Sequence, residues 1–168
     1  MELMAPAGNF ESLQAALDNG ADSVYFGVEQ LNMRARASIN FTMEDLPEIV
    51  ERCEAKKVRT YLTLNTIIYD HDLSLIKNLL AKAKEAGVTA VIASDQAVIA
   101  SARSMGIDIH ISTQLNITNI ETVKFYSLFA ETMVLSRELS LRQVKKITEQ
   151  IQKAVSYTHL TLPTKRIV

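Results

Sequence analysis

Arg34 and Arg36 stand two residues apart, and a pair of guanidiniums at that spacing can grip a carboxylate or a phosphate through paired N–H donors. Ser112, His110 and Asp95 supply, on paper, the hydroxyl, imidazole and carboxylate of a nucleophilic triad. Ser112 and His110 are also two apart, however, and on one strand they would project side by side rather than in line for attack. No HExxH pair is present to hold a catalytic metal. Cys53 is the only cysteine, which excludes an internal disulfide, a CxxC zinc site and an iron–sulfur cluster ligated wholly within the chain. It falls in the stripe Met43, Leu46, Val50, Cys53, the setting of a core thiol rather than a nucleophile.

The other polar candidates, Tyr25, Asn65, Gln114, Arg137 and Glu138, each stand at or just beyond the end of a short apolar run. Every candidate has a plainer reading as a cap, a turn residue or a solvated side chain. Asn9 and Asp95 suit helix caps, and Arg137 with Glu138 suits an ion pair or a loop clamp. His110, between Ile109 and Ile111, suits a core histidine satisfied by a neighbouring hydroxyl. Ser112 and Gln114 share its parity, which predicts that the three line one cavity.

The elements that position these groups repeat. In residues 2–27 the run Leu3-Met4-Ala5 is closed by Pro6-Ala7-Gly8; a helix follows, capped by Asn9, faced by Leu13, Ala16 and Leu17, and stopped by Asn19-Gly20. Ser23-Val24-Tyr25-Phe26 is a second strand, and strand, helix and strand with short loops make a right-handed βαβ unit. After a longer connection over 28–41, Thr42 caps a helix, and 58–64 reads as the third strand. A helix over 70–86 presents Leu73, Ile76, Leu80 and Ala83 and ends at Gly87. Strands at 89–93, 108–112 and 132–135 alternate with further helices, two of them capped by Asn119 and Ser140.

Such strand–helix pairs, about six at a spacing near 25 residues, predict a parallel α/β architecture. Ala5-Pro6-Ala7-Gly8-Asn9 matches neither GxGxxG nor a P-loop, which favours a (β/α)8 barrel over an open nucleotide-binding sheet. A full barrel takes eight units and about 250 residues. The expected fold is therefore an incomplete TIM-type barrel, open at both edges, with the polar candidates at the carboxyl ends of its strands.

The 168 residues are 48% hydrophobic and 22% charged, the balance of a globular domain and not of a disordered chain. A net charge of -1 and a pI near 6.3 give no overall basic surface. No run approaches the roughly 20 apolar residues of a membrane span, and Met1-Glu2 opens no export signal, so the cytoplasm is the expected compartment. Helical patterning stops at Ala154. Residues 155–164 resemble the translation of a transposon-based sequencing adapter, GTC TCT TAT ACA CAT CTG ACG CTG CCG ACG. Residues 1–154 are thus expected to form the domain and 155–168 a non-native, unstructured tail, which removes His159 from the chemistry.

Several motifs occur together and in order: Leu3-Met4-Ala5-Pro6-Ala7-Gly8-Asn9, Gly20-Ala21-Asp22-Ser23-Val24-Tyr25-Phe26-Gly27, Met33-Arg34-Ala35-Arg36-Ala37, Ile109-His110-Ile111-Ser112-Thr113-Gln114 and Leu135-Ser136-Arg137-Glu138-Leu139. In these the chain resembles the N-terminal part of the peptidase U32 family, also called collagenase-like proteases. The resemblance implies a barrel fold. Some members of that family are described as proteases, a hydrolase activity, and others hydroxylate tRNA, ribosomal RNA or a quinone precursor without oxygen, with prephenate as the donor proposed for the RNA branch. The latter carry an iron–sulfur cluster on cysteines that begin just downstream of the match to Leu135–Leu139. The resemblance implies a complete protein that hydroxylates tRNA or rRNA bases, with a peptidase, or a non-catalytic barrel that binds a small acid or assists a partner, as the alternatives. Its partners would be RNA or a prephenate-like acid, and this segment alone is expected to hold no cofactor and to be inactive.

Overall fold

The computed structural model describes residues 2–28, 41–157 and 166–167. Among them, seven parallel strands lie side by side in chain order: β1 (Met4–Pro6), β2 (Ser23–Phe26), β3 (Arg59–Leu64), β4 (Ala90–Ala93), β5 (Ile109–Ile111), β6 (Thr132–Met133) and β7 (Arg166–Ile167). The helices α1 (Phe10–Asp18), α2 (Leu46–Ala55), α3 (Leu73–Ala86), α4 (Gln96–Ser104), α5 (Ile120–Tyr126) and α6 (Leu141–Tyr157) connect or follow them. A sheet whose strand order equals chain order, with a helix after each of β1 to β6, curls one way only, and the result is an incomplete α/β barrel.

Local chemistry sets the boundaries. Asn9 Oδ1 accepts the Ser12 N–H at 2.8 Å while Ser12 Oγ accepts the Asn9 N–H at 3.1 Å, a reciprocal cap on α1. Asn119 caps α5 one way only, its Oδ1 accepting the Thr122 N–H at 3.0 Å. Ser140 and Gln143 cap α6 reciprocally. Gly87 ends α3 at φ +85°, a left-handed turn that a Cβ would strain. Pro6 closes β1 rather than following it. Because the Ala7 N–H donates to the Tyr25 carbonyl at 2.9 Å, alternation turns the Pro6 nitrogen to the open edge, where no ladder bond is required.

Side chains of one strand parity, among them Val24, Phe26, Leu62, Leu64, Val91, Ala93, Ile109 and Ile111, are buried against the helices. The helices answer with Leu13, Leu46, Ile49, Ile76, Leu80 and Val98, all inaccessible to solvent. The other parity forms the inner, concave face.

Two boundaries differ from the sequence expectation. The last helix runs to Tyr157, past Ala154, since no glycine or proline intervenes before Pro163 to stop it. Arg166–Ile167, in the tail expected to be unstructured, pairs in parallel with Thr132 and Met133. The physical reason is the outer edge of β6: its open N–H and C=O groups accept any extended segment within reach.

Candidate active-site face

On the inner face, Glu2 accepts a hydrogen bond from the Tyr61 hydroxyl at 2.7 Å and pairs with Arg59 at 2.8 Å. The Tyr61 ring lies 4.6 Å from that of His110, tilted by 55°. These groups come from the lead into β1, from β3 and from β5. Contribution by alternate strands is how barrel interiors are layered. They line a concavity of about 610 Å³ together with Ile92, Asp108 and Thr132. Glu2, Thr89, Asp108 and Glu131, which also line it, lie ahead of their strands, so this hollow opens at the amino-terminal end of the sheet. In a barrel that end serves stability, and chemistry belongs to the opposite rim.

The opposite rim carries most of the residues nominated from sequence. Tyr25 is the exception: half-buried within β2 and in register with Pro6 and Tyr61, it lies one residue short of the strand's end, while the rest stand beyond theirs. Asn65 is half-buried directly after β3. Asp95 caps α4, its Oδ1 accepting the Ala97 N–H at 2.8 Å. Ser112, 2% exposed, accepts the Gln114 N–H at 3.4 Å and so caps a short 3-10 turn. Gln114, Arg137 and Glu138 are exposed. Glu138 accepts from the Ser136 hydroxyl, and that bond, with its own backbone and the nearby Arg137 charge, holds its carboxyl below the ordinary value. The clamp on Glu138 is thus Ser136, with Arg137 acting through charge alone. Arg34 and Arg36 lie outside the described residues.

Since every strand is parallel, these rim groups share one end of the sheet. The cavity expected to join His110, Ser112 and Gln114 does not form. His110 faces the amino-terminal hollow, Ser112 is tucked under a turn, and Gln114 faces water, because the strand ends at Ile111 and the 3-10 turn Thr113–Leu115 abolishes the two-residue alternation. For the same reason Ser112, His110 and Asp95 are not assembled as a triad. Cys53 is fully buried, and burial pushes its thiol up to about 11. A sole, buried cysteine does not fit an iron–sulfur cluster, and no group of three metal-binding side chains occurs among the described residues.

Sequence reasoning missed the Glu2–Arg59–Tyr61 group. The signal was available: Arg59, Tyr61 and Thr63 share one parity of β3, the test applied to His110.

Parallel strands in chain order, a curled sheet backed by helices and polar groups at the strand ends define a TIM-type α/β barrel protein with part of its wall. The model of peptidase family U32 matches residues 8–159, and the chain belongs to that family. It is 53% identical over 150 residues to a collagenase of Porphyromonas gingivalis, covering 89% of this chain and 36% of that protein. It is 30% identical over 162 residues to tRNA hydroxylation protein P1 of Bacillus subtilis, covering 94% and 38%. The solved U32 peptidase Mk0906 superposes with a TM-score of 0.72 over 89% of this chain and 64% of that one, at 13% identity, which shows the shared fold. The chain spans little more than a third of the length of these two relatives. Among the described residues no helix is long and apolar enough to cross a membrane.

Proposed function

We propose that the complete protein containing this segment hydroxylates bases of tRNA or rRNA without molecular oxygen, in the cytoplasm, and that the segment forms barrel wall and part of the substrate mouth. The observation that carries this reading is the placement of Ser112. Its hydroxyl is buried and accepts the Gln114 N–H, so the serine two residues from His110 serves a turn and is not set up for acyl transfer. The kinship with a tRNA hydroxylation protein supplies the alternative chemistry. Arg34 and Arg36 are the groups assigned to a prephenate-like acid or an RNA phosphate, through bidentate N–H donors. The cysteine ligands of any iron–sulfur cluster are assigned to the chain beyond this segment. Deleting the gene and digesting total RNA to nucleosides tests the reading: mass spectrometry is expected to lose one hydroxylated pyrimidine, restored by the intact gene. An unchanged nucleoside profile would sink it.

A second reading, a peptidase, is favoured by the 53% identity to a collagenase. Gelatin cleavage by the purified complete protein, abolished by a single substitution of a nucleophile outside this segment, supports that reading.

A further inference from the structure

After β3 the chain bends at Thr66 and leads to the capped entry of α3, and over residues 67–69 side chains alternate. Ile68 packs on the core, while Ile67 and Tyr69 turn outward at 72% and 60% exposure. The His71 ring lies parallel to that of Tyr69, 2° from coplanar with centroids 5.6 Å apart, and is 79% exposed. The backbone beneath them is fixed: Asp72 accepts the Tyr69 N–H at 3.0 Å, and the Asp72 N–H returns to the Tyr69 carbonyl at 2.9 Å. A parallel ring pair exposed on a fixed backbone, beside an exposed isoleucine, presents flat faces on which no other ring or cation of the described residues is stacked. It stands on the carboxyl-end rim, four residues beyond Asn65.

We propose that Tyr69 and His71 form a stacking platform for an unpaired nucleobase of the RNA substrate, a subsite that rests on the hydroxylase reading above. Flat aromatic faces select flat partners, and a base presents one whatever its sequence. Asp70 and Asp72 flank the rings, and they repel phosphate. The platform therefore holds the base and leaves the backbone to cations elsewhere, so its contribution is insensitive to salt. Ring burial adds to this, since stacking removes apolar surface of Tyr69 and Ile67 from water.

The test uses the complete protein, a single-stranded RNA octamer carrying one 2-aminopurine, and the hydroxylation assay. Tyr69→Ala is expected to weaken octamer binding and raise the KM for RNA about tenfold, with kcat retained, 2-aminopurine quenching lost, and the same factor at low and high salt. Tyr69→Phe should behave as wild type, and the melting temperature of both variants should hold because the ring supports little of the core. If Tyr69→Ala and His71→Ala bind and hydroxylate RNA as wild type does, the platform is overturned while the hydroxylase reading stands. If the wild-type protein neither binds nor hydroxylates RNA, both fall together. If Tyr69→Ala leaves RNA untouched but abolishes binding of a gelatin peptide, the rings serve a polypeptide and the proposal is wrong.

Discussion

Tyr61 on β3 and His110 on β5 bring their rings to 4.6 Å across the intervening strand β4. Contact over a whole strand is possible because the β4 residue in register with Tyr61 is Ala90, whose methyl leaves the space open. The same tyrosine donates to Glu2, which also holds Arg59, so one side chain ties β1, β3 and β5 together on the inner face.

Removing the hydroxyl alone should therefore weaken the sheet without unfolding it. Tyr61→Phe is expected to cost about 1.5–3 kcal/mol, the range for a hydrogen bond to a charged group. Glu2 keeps Arg59, which places the value at the lower end. Urea unfolding of wild type and variant measures it, and Glu2→Gln in the Tyr61→Phe background should cost less than it does alone.

Cys53 gives an alkaline signature. Its folded-state pKa, about 11, lies above the ordinary 9.0, so the stabilisation from keeping the thiol neutral is full below pH 9 and falls as the pH rises toward 11. The loss is expected at about 1.4 kcal/mol per pH unit within that window. Cys53→Ala should remove the slope whatever its own stability. At pH 8 the native thiol should resist a disulfide reagent that labels the unfolded chain at once.

Ser23 is fully buried at the start of β2, and its Oγ has no hydrogen-bond partner among the described residues. A hydroxyl desolvated without a partner destabilises the fold. Ser23→Ala is expected to leave stability unchanged or raise it by up to about 1 kcal/mol, read from the melting temperature. A clear drop would reveal a bond that the hydroxyl makes after all.

The open edges should govern behaviour in solution. Pro6 blunts the outer side of β1, but the two-residue strand β7 covers little of β6. The 168-residue chain is expected to self-associate with rising concentration and to show no hydroxylase or peptidase activity. Sedimentation velocity decides this, and a monomer that unfolds cooperatively at all concentrations contradicts it.

Much of the fold was legible in the residues because its determinants are local. The caps at Asn9, Asp95, Asn119 and Ser140 and the stop at Gly87 are hydrogen bonds and φ angles closed within five residues. The apolar periods of α2 and β3 report burial one element at a time, which also placed Cys53 in the core. Strand parity put His110 in one layer with Ser112 and Gln114 and so implied a cavity shared by the three.

That inference failed where the strand became a turn, and parity ceases to hold once extended backbone ends. The meeting of Glu2, Arg59, Tyr61 and His110 was decided by tertiary structure alone. It depends on the register offsets from β1 through β5, on a small residue at Ala90 and on the curl of the sheet. Which groups share the inner face is written in short windows of sequence, because alternation is a property of one strand. Which of them touch is not, because stagger and curvature accumulate from strand to strand and exist only when the whole sheet has closed up against its helices.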